Sequence, residues 1–215
     1  MKVFSRREIC NQILYLCIAT DIAFIGLNVL YEMSAVVNDA ALKITEDRGY
    51  AEVFQYIKEF WIAGLLLTLA LRTYSLLYFA WSLLFSYVLL DDALRIHETL
   101  SKVIRFPSLL GLNRRASGEI IIFGVIGLCF LILVAVTYRL GSPLARSASR
   151  FLAVMVLALG FTGVFIDGLH IVVQVELLDP IFTILEDGGE MIIMSLTLSF
   201  VLLLSAKTLA KRKPS

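Results

Sequence analysis

The chain has 215 residues, 59% of them hydrophobic and only 17% charged, with a mean hydropathy of +0.86. Soluble domains carry about 25% charged residues, so this apolar surplus exceeds what one core can hide, and lipid is the solvent it implies. A net charge of +1 gives no footing for a nucleic-acid partner, and three cysteines without CxxC spacing argue against a disulfide framework or a thiolate metal site.

Six stretches reach the roughly 20 apolar residues needed to cross a bilayer. They lie at about 9–37, 53–71, 74–99, 119–140, 150–175 and 181–206. The expected fold is therefore an all-α integral membrane protein of about six transmembrane helices, with residues 1–215 forming one multi-pass membrane domain. The first stretch follows the basic segment MKVFSRRE and runs on to about Val37, longer than a signal-peptide core and without a small-x-small cleavage site. It reads as a retained span. Cys10, Cys17 and Cys129 sit within apolar runs and read as buried fillers. Only Arg72-Thr73 separates the second stretch from the third, which demands a tight turn, while Gly141-Ser142-Pro143 breaks the fourth from the fifth.

On this topology Lys2, Arg6, Arg7, Arg72, Arg139, Arg146, Arg150, Lys207, Lys211, Arg212 and Lys213 share the side of the termini. The positive-inside rule then puts both termini in the cytoplasm, although a basic third-to-fourth loop tempers the bias. Lys58 counts among the bases of the opposite side. The acids divide more sharply. Glu8 alone lies on the cytoplasmic side, Asp21 falls near the middle of the first span, and the other sixteen of eighteen belong to the outer half or outer loops. That asymmetry marks the outer half as the working face.

The densest cluster on that face is SYVLLDDALRIHE, residues 86–98, where Asp91, Asp92, Arg95, His97 and Glu98 follow an apolar run. Ionisable groups at the edge of a span are costly and need partners or a ligand. If the helix continues, Tyr87, Asp91, Arg95 and Glu98 line one face and Arg95 pairs with Asp91. Asp92 and His97 then stand about 140° apart and meet only if the helix frays.

A weak three-fold repeat runs through the chain. The odd spans end in Gly26-Leu27-Asn28-Val29, Ala93-Leu94-Arg95-Ile96 and Gly168-Leu169-His170-Ile171, and the even spans begin around Glu52, Glu119 and Glu190. From the third residue of each tetrapeptide to the glutamate the steps are 24, 24 and 20 residues. Three helical hairpins are implied, each re-entering with a glutamate at the positive end of a helix dipole. On helical spacing, Asp167, His170 and Gln174 share a stripe, as do Asp21, Asn28 and Glu32, and Glu186 sits one turn before Glu190.

Carboxylates and imidazoles projecting from several helices are how bundles hold zinc, iron or manganese. The expected metal site consists of Asp92, His97, Asp167, His170 and Glu190, with Glu52, Glu119 or Glu186 as a further ligand or general base. Asp167-x-x-His170 has the spacing that puts two ligands on one ion. There is no Gly-rich phosphate loop, GxSxG, HExxH or paired DDxxD motif. Three functions compete. The first is a metal-dependent membrane enzyme hydrolysing a lipid or running redox chemistry, with membrane lipids and a metal ion as partners. The second is a small-cation or proton-coupled transporter, which the deep Asp21 favours. The third is a structural or partner-binding subunit, in which the acids only glue helices.

Overall fold

The computed structural model describes residues 5–33, 38–104, 114–166 and 178–210. Every regular element among them is helical. Helix α1 spans Arg6–Met33, α2 Tyr50–Thr73 and α3 Leu76–Leu94. The short α4, Ile96–Val103, leads towards α5, Arg114–Leu140. Helix α6, Pro143–Gly160, runs into a π-helical turn at Phe161–Ile166. The last span opens with α7, Asp179–Thr183, passes a second π-turn at Ile184–Gly188 and continues as α8, Gly189–Ala210. Six of these helical stretches are long and apolar enough to cross a membrane, and the chain is an all-α, multi-pass membrane protein.

The connections follow from local chemistry. At the tight α2–α3 turn, Tyr74 takes the left-handed conformation (φ 53°), and the Ser75 N–H reaches back to the Ala70 carbonyl at 3.2 Å. That is a helix stop made by a residue other than glycine. The break before α6 is Ser142 as N-cap, its hydroxyl accepting from the Ala145 N–H at 3.2 Å, with Pro143 at the first helical position. The fifth span thus begins at Pro143 rather than near 150.

The core lies between α2, α3, α6 and α8, around Leu66, Leu69, Phe85, Leu152, Leu198 and Val201. Apolar packing in lipid gains no hydrophobic driving force, so fit and interhelical hydrogen bonds hold the bundle. The Trp81 indole N–H donates to Ser149 at 2.8 Å, tying α3 to α6, and Ser82 donates to the Ala63 carbonyl at 2.9 Å, tying α3 to α2. Trp81 is therefore a core residue. Helix α5 and most of α1 turn apolar surface outward, to lipid. Cys10 and Cys17 are buried as expected, whereas Cys129 lies on the exposed face of α5. Arg6 at the start of α1 donates to the Ala206 carbonyl near the end of α8 at 3.0 Å, so these two ends share one face of the bundle.

The hairpin repeat has a limited structural counterpart. Glu52 and Glu190 do occupy first turns, but α5 begins at Arg114 and puts Glu119 a turn later. The most intimate neighbours are α2 and α3, not α1 and α2. The third tetrapeptide, with Asp167 and His170, lies outside the described residues.

Candidate functional site

The third span does not run through to residue 99. It stops at Leu94, Arg95 adopts the left-handed conformation (φ 54°), and α4 leaves in a new direction. This break reorganises the acidic cluster. Asp91 does not pair with Arg95. Its carboxylate accepts from the His97 backbone N–H at 2.9 Å and meets the ring Nδ1 at 2.8 Å, clamping the two helices across the break. Arg95 instead bonds Glu98 at 2.6 Å and reaches Asp47, in the loop before α2, at 2.8 Å. Burial pulls the His97 ring towards its neutral form. The hydrogen bond to Asp91 and the charges of Asp91, Glu119 and Glu98 outweigh that, and its pKa lies above the ordinary histidine value.

The break also brings Asp92 and His97 to one place. Together with the loop at Ile44–Asp47, the start of α2 and the start of the last span, they line a vestibule of about 320 Å3, at the opposite end of the bundle from the Arg6–Ala206 contact. Among the described residues its walls carry eight carboxylates, from Glu46, Asp47, Glu52, Asp92, Glu98, Glu186, Asp187 and Glu190, with Arg95 and His97. The loop is pinned from α1: Asn28 accepts from the Ile44 N–H at 3.2 Å, and Lys43 meets Glu32 at 3.2 Å. Asn28 thus holds the vestibule wall and Glu32 turns outward to the loop. Glu52 accepts from the Arg48 backbone N–H. Glu190 lies against Gly163 in the first π-turn, where a Cβ would collide with its carboxylate.

Of the residues singled out by sequence, Glu52, Asp92, His97, Glu186 and Glu190 come together around this vestibule. Glu119 does not line it and accepts from Ser101 at 3.4 Å, joining α5 to α4. Asp167 and His170 lie outside the described residues. Among the described residues no three His, Cys, Asp or Glu side chains form a group able to hold a metal ion.

Below the vestibule is a second polar layer that the sequence reading missed. Lys58 is not an outer-face charge. It stands eight residues inside α2, roughly 12 Å along the helix, and is completely buried. Its ammonium donates to Asp21 at 2.9 Å, to the Met191 carbonyl at 2.8 Å and to Ser195 at 3.3 Å, while Ser195 donates to the other Asp21 oxygen at 2.5 Å. Three helices, α1, α2 and α8, contribute to this closed network. Beside it on α2, Glu59 is equally buried; among the described residues no N–H donor reaches its carboxylate, and the carboxyl group of Asp92 stands against it, so the two acids form a buried pair. Gln55, one turn nearer the vestibule, lines its floor, is 8% exposed and has an unpartnered Oε1. Glu52, Gln55 and Glu59 follow i, i+3, i+7 spacing, so one stripe of α2 runs from the vestibule into the span. The signal in the sequence was Lys58-Glu59 itself: adjacent ionisable groups that far into an apolar helix need partners, and Asp21 lies at a comparable depth in the first span.

These features define a class: a multi-pass helical membrane protein with an acidic vestibule on one face and ionisable groups buried beneath it. Residues 13–205 match the model of a family described as a domain of unknown function (DUF8692), and the chain belongs to that family. No curated protein and no solved structure matches it.

Proposed function

We infer that the protein is a proton-coupled transporter of a small cation, with the acidic vestibule as the entrance and Glu59, Lys58, Asp21 and Ser195 as the coupling layer. The observation that carries this reading is the wholly buried ionisable layer in the interior of the spans. An enzyme confined to the vestibule has no use for charged groups a further two turns into the membrane. Two carboxyl groups buried against each other, Glu59 and Asp92, are too costly as a pair of bare anions. Glu59 therefore carries a proton or accepts a cation, and exchanging one for the other is the elementary step of coupled transport. Asp21 and Lys58 neutralise each other, and Ser195 bridges them, so a charge change at Glu59 has a switchable partner beside it.

One observation favours the metal-dependent enzyme instead. His97 is oriented through Nδ1 by Asp91, which is how metal-bound imidazoles are held with Nε2 free for an ion. Zinc, iron or manganese would act there with Asp92 and Glu190. The donor set among the described residues falls short of a group, and that reading has no role for Lys58 and Glu59.

The test is a pH jump applied to proteoliposomes on a solid-supported membrane, recording the transient current as protons enter or leave the protein. Wild type is expected to give a transient that Glu59→Gln abolishes while remaining monodisperse in detergent. Wild-type protein that gives no current above protein-free liposomes would overturn the coupling role and leave the vestibule to an enzyme or a binding function.

A further inference from the structure

The vestibule narrows the cation to a chemical class. Its acids are spread around a chamber of about 320 Å3 and, among the described residues, do not converge as metal ligands. A volume near the lower end of the roughly 300–1,000 Å3 typical of organic-ligand pockets is far larger than a bare ion requires. The floor is more specific still. Among the described residues Gln55 Oε1, which lines the chamber and is largely buried, is an acceptor without a donor; Asp92 lines the chamber beside it and is paired with Glu59, which lies one helical turn deeper than Gln55 and behind the lining. What completes Gln55 beside these acids is a positively charged group rich in N–H donors, and an ammonium supplies three. Ile44, Ala51 and Met191 interrupt the acidic walls with apolar surface suited to methylenes. Arg95 does not oppose a cation at the rim, because Asp47 and Glu98 already compensate it.

We propose that the vestibule binds an aliphatic amine carrying more than one ammonium group. One ammonium docks on Gln55 and Asp92, over the buried Glu59, the alkyl stem lies along Ile44 and Met191, and a further ammonium is held by the wall carboxylates. The assignment rests on the reading of the vestibule as the entrance of a cation path and specifies its cargo. Glu59 faces Asp92, Glu190 and Lys58, and docking of the first ammonium displaces the proton shared by Glu59 and Asp92 towards the vestibule, so one positive charge replaces another at the buried site.

Isothermal titration calorimetry on the purified full chain tests it, with 1,4-diaminobutane, butylamine, the neutral isostere 1,4-butanediol, and manganese chloride as probes. The diamine is expected to bind at least tenfold more tightly than butylamine, and the diol not at all. Gln55→Leu and Glu59→Gln should each weaken the diamine tenfold or more, and Glu52→Gln, at the wall, by a smaller factor. Manganese binding that the diamine does not displace, or diol binding equal to that of the diamine, would overturn the amine assignment. A protein that gives the pH-jump current but binds no amine likewise sinks the cargo and spares the coupling layer. Diamine binding without the current keeps the binding site and removes transport.

Discussion

Lys58 offers three ammonium protons to three acceptors, all of them wholly or largely withdrawn from solvent. Removing one partner of such a pair leaves an uncompensated buried charge, at a cost of about 3–5 kcal/mol, whereas replacing both with apolar groups is often nearly neutral. Lys58→Met alone should therefore lower unfolding stability in detergent by about that amount. Lys58→Met combined with Asp21→Leu should recover most of it. If the pair serves coupling, the recovered double variant is stable but electrically silent. A double variant as unstable as the single one would mean that the pair itself holds the bundle together. His97 makes a prediction at the membrane edge. Its folded pKa is raised, so the His97–Asp91 contribution is fully present below the unfolded histidine value of about 6.5 and fades as pH rises through the folded value. The melting temperature of wild type relative to His97→Gln should fall across that window. A difference independent of pH would show that the ring acts through packing on Phe123, 4.6 Å away, and not through its charge.

At the scale of elements, the breaks shape the site more than the spans do. Both Tyr74 and Arg95 stop helices in the left-handed conformation without a glycine. Tyr74 is 89% exposed, so its side chain contributes no packing within the bundle. Tyr74→Gly should be tolerated. Tyr74→Val places a β-branched residue where L side chains are strained, and should cost about 1–2 kcal/mol in the same unfolding assay. Equal stability of the two variants would mean that the α2–α3 turn relaxes to another geometry. These breaks also mark where the sequence was hard to read. The six spans were legible because length and apolarity suffice to recognise them. The stop at Arg95 was not, since no glycine or proline announces it. It is held by tertiary partners, Asp47 from a distant loop and Asp91 gripping His97 across the break. A continuous helix would pair Arg95 with Asp91 and let Asp92 meet His97 only by fraying. The break supplies that meeting.

For the whole molecule, the sorting of acids to one end was readable from topology alone, and Glu52, Asp92, His97, Glu186 and Glu190 do gather there. The deeper layer was not readable, because its parts are dispersed. Asp21, Lys58 and Ser195 lie on three helices, 37 and 137 residues apart counting from Lys58, and no local spacing connects them. Charge counting put Lys58 with the loop bases, and Glu59 vanished into the tally of outer acids. Only packing shows that they are buried. The molecule therefore has two polar tiers, an open acidic one and a closed one beneath it, with the Glu52, Gln55 and Glu59 stripe of α2 running from the first towards the second.

The central claim is that Glu59 exchanges protons with the vestibule. Infrared difference spectroscopy of the reconstituted protein across a pH step, in H2O and D2O, tests this most directly. The account predicts a protonated-carboxyl band that shifts on deuteration and disappears in Glu59→Gln. Identical carboxyl difference spectra for wild type and Glu59→Gln would mean that Glu59 takes no part in proton exchange, and would contradict the account.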